Sequence, residues 1–87
     1  MKHYNLDNVE ISDIEFYKTN TGIIVWNNGD TEYRLNGKTH RIGGPALIVN
    51  EKTRRPRKVH YYFYCGKEVT KEQHDLLYNI MKLKGLL

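Results

Sequence analysis

With one cysteine, Cys65, the chain has no means of forming an internal disulfide. Small exported domains normally carry an even framework of cysteines, so a reducing, cytoplasmic setting is expected. No apolar run approaches the roughly 20 residues of a membrane span. The opening residues Met1-Lys2-His3-Tyr4-Asn5-Leu6-Asp7 hold no signal-peptide core, and no membrane partner is expected. His3, His40, His60, His74 and Cys65 include no close-spaced pair of the kind zinc uses, so neither a metal nor another cofactor is expected. No linker divides the chain, which predicts a single domain over 1–87. A domain of this length buries only about 60% of its unfolded surface, which leaves little room for a deep catalytic pocket. Binding is expected, not catalysis.

Hydrophobic residues are 39% of the chain and charged residues 28%, too apolar for disorder. Seven tyrosines stand against two phenylalanines and one tryptophan, and tyrosine suits half-buried sheet faces where the ring packs and the hydroxyl stays wet. The net charge of +4 has one address: residues 51–58 carry Lys52, Arg54, Arg55, Arg57 and Lys58 against Glu51, while the other 79 residues carry nine charges of each sign.

From Gly22 onward, short extended segments alternate with turn signals, the pattern of antiparallel hairpins over 22–69. Ile23-Ile24-Val25-Trp26 is β-branched and aromatic, and Asn27-Asn28-Gly29-Asp30 supplies a tight turn. Thr31-Glu32-Tyr33-Arg34-Leu35 alternates, which predicts Tyr33 and Leu35 on a buried face and Glu32 and Arg34 on the other. Asn36-Gly37 is a second turn, and Gly43-Gly44-Pro45 leads into Ala46-Leu47-Ile48-Val49. The strongest strand is Val59-His60-Tyr61-Tyr62-Phe63-Tyr64-Cys65. Its Val59, Tyr61, Phe63 and Cys65 face is assigned to the core, and its His60, Tyr62 and Tyr64 face to a partner.

The last segment changes period. Thr70-Lys71-Glu72-Gln73 is a capping box, Leu76, Leu77, Ile80 and Met81 recur at helical spacing, and Gly85 is placed to stop the helix. A helix within 70–85 is expected to lie across the sheet. The first 20 residues are read as two extended pieces, although Ser12-Asp13-Ile14-Glu15 would also cap a short helix. The fold class is therefore α+β: a small antiparallel sheet of hairpin repeats with one C-terminal α-helix packed on it.

Aligning Asn36-Gly37-Lys38 with Cys65-Gly66-Lys67 places Tyr33 on Tyr62 and Leu35 on Tyr64, as two copies of one strand-turn-strand unit. The run from Asn28-Gly29-Asp30 through Tyr33, Asn36-Gly37, His40-Arg41 and Gly44-Pro45-Ala46 resembles the short repeats of phage and giant-virus proteins. Those repeats read roughly D-G-x-x-x-W/Y-x-x-N-G-x-x-H-R-x-x-G-P-A and are similar to MORN-type hairpin repeats. The resemblance covers about 22–75 and departs from the pattern at Cys65, which stands where the repeat has Asn, and in the enlarged basic loop. It implies a small bacteriophage accessory protein acting in the host cytoplasm and brings no shared activity. By analogy with other small phage proteins, the expected function is to bind and inhibit or modulate a host protein, such as a nucleic-acid-processing or defence complex of the kind anti-CRISPR proteins oppose.

Three readings of the basic segment stand side by side. Lys52, Arg54, Arg55, Arg57 and Lys58, with His60, Tyr62 and Tyr64, would dock on an acidic protein groove. The same residues would track a phosphate backbone and stack bases, making the chain a DNA- or RNA-binding module. A solvated hairpin tip is the third. His40 and Arg41 form a secondary candidate, for which hydrogen bonding to the next hairpin is the simpler role. Nothing in the sequence sets an oligomeric state.

Overall fold

The computed structural model describes residues 1–52 and 58–86; Arg54, Arg55 and Arg57 lie outside them. The elements run β1 (Lys2–Tyr4), β2 (Glu10–Ile11), α1 (Asp13–Thr19), β3 (Gly22–Val25), β4 (Thr31–Leu35), β5 (Lys38–Thr39), β6 (Leu47–Ile48), β7 (His60–Tyr64), β8 (Lys67–Val69) and α2 (Lys71–Leu83). All the strands join one antiparallel sheet in the order β2-β1-β3-β4-β6-β7-β8, with β5 also paired to β4. The α+β architecture with a C-terminal helix on the sheet is as the sequence predicts.

The turns do what their residues allow. Asn36 and Gly37 have φ of 50° and 81°, and Cys65 and Gly66 have 51° and 85°. Both hairpins thus close on two consecutive left-handed residues, the type I′ geometry that matches strand twist. Cys65 is exposed at this turn, which corrects its placement as a buried hydrophobe: the strand ends one residue earlier, at Tyr64. At the preceding turn only Gly29 is left-handed, and a Cβ there would meet the Asn50 amide nitrogen at 2.2 Å.

The N-terminal segment differs from its extended reading. Ser12 Oγ accepts from the Glu15 N–H at 3.1 Å, and Asn20, left-handed at φ 50°, donates its N–H to the Phe16 carbonyl, so seven residues between them are helical. The extended reading rested on Val9, Ile11, Ile14 and Phe16 as two extended pieces. Ile14 is 78% exposed, and Phe16 alone turns inward from α1. Its ring stacks on His3, centroids 4.5 Å apart. A Cβ at Gly22 would strike the Tyr4 carbonyl oxygen at 2.3 Å, so glycine is what lets β3 approach β1 there.

Register sorts the side chains. His3 pairs with Ile24, Ile24 with Glu32, Glu32 with Leu47, and Leu47 with Tyr61. Directly opposed residues of antiparallel strands share a face, so this row lies on one side of the sheet, with Phe16 of α1 over its His3 end. Tyr62, one residue on, points to the opposite side. There it meets His74 of α2, ring centroids 4.8 Å apart. The helix therefore covers the Tyr62 face and leaves Tyr61 and Phe63 on the other, the reverse of the sequence assignment.

The capping box of α2 forms in full: Thr70 Oγ1 accepts from Gln73 N–H and Thr70 N–H donates to Gln73 Oε1. Gly85 follows the helix at φ 70°. The buried stripe is offset from the one expected. His74 is the buried residue, Leu77, Tyr78 and Met81 are half-buried, and Leu76 is 61% exposed with Ile80 also outside. Alternating polarity also misleads in β4, where Glu32 is only 9% exposed and Leu35 is 38% exposed.

Candidate partner-binding face

Glu32 is buried because three donors converge on it. Trp26 Nε1 donates to Oε1 at 3.2 Å, while Arg34 Nε and Thr39 Oγ1 both donate to Oε2 at 2.8 Å. A carboxylate leaving water without such partners would cost several kcal/mol; with a guanidinium and two neutral donors its charge is matched. Arg34 is held in turn by Asn20 Oδ1, which accepts from Nη1 at 3.2 Å. The consequence is positional: the indole of Trp26 is tied down beside Glu32, on the same face as Leu47 and Tyr61.

The helices sit on opposite faces at opposite ends, α1 against β1 and α2 against β7. Between them, on the Trp26 side, an open depression of about 570 Å³ is lined by Met1, Trp26, Asn27, Asn28, Asp30 and Leu47. Asn50, just before the basic segment, is tied to two of these lining residues. Asn50 N–H donates to Asp30 Oδ1 and Asn50 Nδ2 to the Asn28 carbonyl, both at 2.8 Å, and Lys52 N–H donates to Asn50 Oδ1 at 3.0 Å. Lys58 Nζ lies 4.5 Å from the Tyr61 ring centroid and 3.0 Å from Glu68 Oε2.

The structure divides the candidate residues. Lys52 and Lys58 are exposed, and Lys58 lies over Tyr61 on the open face; His60 is exposed on the opposite one. Tyr62 is packed under α2, and Tyr64 has the His40 ring 5.1 Å from its own. These two tyrosines serve the fold. Trp26 and Leu47, which line the depression, were not among the sequence candidates, since the sequence offers an aromatic β-branched run without saying which of its faces stays open.

His40 and Arg41 act as a clasp between the two hairpins. His40 Nδ1 accepts from the Cys65 N–H at 2.9 Å, the Thr39 carbonyl accepts from Gly66 N–H at 2.8 Å, and the Phe63 carbonyl accepts from Arg41 N–H at 3.4 Å. The Arg41 guanidinium lies 4.0 Å from the Tyr33 ring centroid, and its Nη1 donates to the Pro45 carbonyl at 3.2 Å. A Cβ on Gly44 would meet that guanidinium at 3.0 Å. Burial pushes the His40 imidazole below its ordinary pKa, in keeping with an Nδ1 that accepts a hydrogen bond.

Among the described residues no helix is long and apolar enough to cross a membrane. No family model matches the chain, and no curated protein or solved structure does either.

Proposed function

We propose that the chain is a small phage-type accessory protein that works by binding, and that it holds a host protein on the helix-free half of its sheet. The observation carrying this reading is the open depression around Trp26 and Leu47, with the side chains of Asn27 and Asn28 beside it. Interfaces draw most of their energy from a few aromatic and Arg anchors seated near a pocket and ringed by polar groups. Trp26 is such an anchor, already oriented by its bond to Glu32. The resemblance of the hairpin repeat supports the viral setting, and inhibition of a nucleic-acid-processing or defence complex is the role proposed for it there.

Direct binding of DNA or RNA is the second reading, favoured by the concentration of all net charge in residues 51–58 and by the lysine over Tyr61. It is weakened by the packing of Tyr62 and Tyr64, rings that would have stacked bases. A pull-down from nuclease-treated bacterial lysate separates the two. Under the first reading the parent retains one stoichiometric protein and Trp26→Ala loses it. Loss of all prey on nuclease treatment, with a labelled oligonucleotide shifted steeply by salt, would establish the second instead.

A further inference from the structure

We infer that the notch between β4 and residues 40–42 binds a small organic carboxylate, an acid of benzoate size whose charge is held by Arg41 and whose body lies on the apolar wall. This site shares no lining residue with the Trp26 depression and does not depend on the reading of that face.

The notch measures about 180 Å³, and Leu6, Tyr33, Leu35 and Ile42 give it its apolar wall. A cavity of about 150 Å³ is enough to hold benzene, so a benzene-sized body with a carboxylate at the mouth matches the space. The remaining lining residues are Arg34, His40 and Arg41, and no carboxylate lines the notch among the described residues. Arg34 is already taken, by Glu32 at 2.8 Å and Asn20 at 3.2 Å. Arg41 is half-buried and pairs with no carboxylate among the described residues. Its guanidinium donates through Nη1 to the Pro45 carbonyl, at 3.2 Å, while Nε and Nη2 have no acceptor among them. The group is nonetheless fixed. Its Cζ lies 4.0 Å from the Tyr33 ring centroid, and a Cβ on Gly44 would come within 3.1 Å of that same carbon. A guanidinium held in this way offers a planar edge of N–H groups that binds a carboxylate through charge-assisted hydrogen bonds without first giving up side-chain freedom. His40 adds a neutral donor. Its Nδ1 accepts from the Cys65 N–H and burial lowers its pKa, so at neutral pH its one ring proton sits on Nε2, which has no acceptor among the described residues. The notch therefore favours an anion over a cation, and its one uncommitted cation suits the single charge of a carboxylate better than the double charge of a phosphate.

The test is an NMR titration of the full chain with sodium benzoate, with benzamide as its uncharged counterpart. Benzoate should move the amides of residues 6, 33–35 and 40–42 saturably, with a Kd of about 1 mM or tighter. Benzamide should bind about tenfold more weakly, since it lacks the charge that Arg41 meets. Leu6 is 59% exposed, so Leu6→Glu places a like charge at the mouth and should weaken benzoate about tenfold while the melting temperature stays at that of the parent. Arg41→Lys keeps the charge and loses the fork, and should weaken benzoate about fivefold. Because Arg41 also clasps the two hairpins, the Leu6 variant is the one that separates binding from folding. A peptide ending in a free phenylalanine carboxylate, titrated beside its C-terminal amide, distinguishes the sources of the carboxylate. Tighter binding than benzoate, lost in the amide, supports the site as a receptor for a polypeptide chain end, and weaker binding than benzoate supports it as a receptor for a free acid. Benzamide as tight as benzoate would overturn the inference. So would the absence of a saturable shift at these residues with both benzoate and the peptide, or shifts at residues 26–30 and 47 in their place.

Discussion

The imidazole of His40 accepts a hydrogen bond from the backbone N–H of Cys65, 25 residues further along the chain, and so fastens the turn of the second hairpin to the end of the first. The bond needs Nδ1 unprotonated. Burial lowers the folded pKa from its ordinary 6.5, so the unfolded chain takes up the proton first as pH falls. This contribution to stability is complete above about 6.5 and is lost as pH drops toward the folded value. The parent should therefore lose more melting temperature between pH 7.5 and 5.5 than His40→Ala does, measured by circular dichroism at matched ionic strength.

Cys65 holds φ of 51°, a left-handed conformation that Asn tolerates better than cysteine, and Asn36 occupies the matching place in the first hairpin. Cys65→Asn should leave the melting temperature unchanged or raise it by an amount equivalent to about 0.5 kcal/mol. A clear fall would mean that the thiol makes a contact the turn geometry does not require.

Phe16 is fully buried between His3, Tyr17 and the backbone of β3. Replacing it with alanine removes the only inward side chain of α1, and Phe16→Ala should cost about 3 to 5 kcal/mol. Set against a total of about 5 to 15 kcal/mol, that unfolds much of the population. Urea titration reads it directly, and Ile14→Ala, on the exposed side of the same helix, should leave the midpoint nearly in place.

Glu32→Ala leaves Trp26 Nε1, Arg34 Nε and Thr39 Oγ1 without their acceptor. The expected cost is about 3 kcal/mol, since a partly buried guanidinium loses its counter-ion. Tryptophan fluorescence provides a second check: the one indole of the chain should emit at longer wavelength, freed to reach water, while chemical denaturation reports the stability loss.

Much of the architecture was legible because its signals are local. Asn-Gly and Cys-Gly turns set two hairpins through backbone φ, and Thr70 with Gln73 sets the start of α2 through hydrogen bonds within one turn. The facing of the strands was not, for a non-local reason. Polarity alternation assigned Glu32 outward, but Trp26, Arg34 and Thr39 make its burial affordable, and two of those partners, Trp26 and Thr39, come from outside β4. The same holds for β7. Tyr61 and Tyr62 are chemically identical, and only the position of α2, with His74 resting on Tyr62, decides which is covered. The site followed the facing: once Tyr62 and Tyr64 are taken by the fold, the open surface moves to Trp26 and Leu47.

The account depends most on which face meets the partner, and a photocrosslink decides it. Asn27 lines the depression beside Trp26, while Leu76 lies on the outer side of α2; both are exposed, so each accepts a benzoylphenylalanine with little strain. Irradiation in bacterial lysate should join the partner to the position-27 variant as one discrete band and leave the position-76 variant uncoupled. A band from position 76 with none from position 27 would contradict the account and place the working surface on the helix.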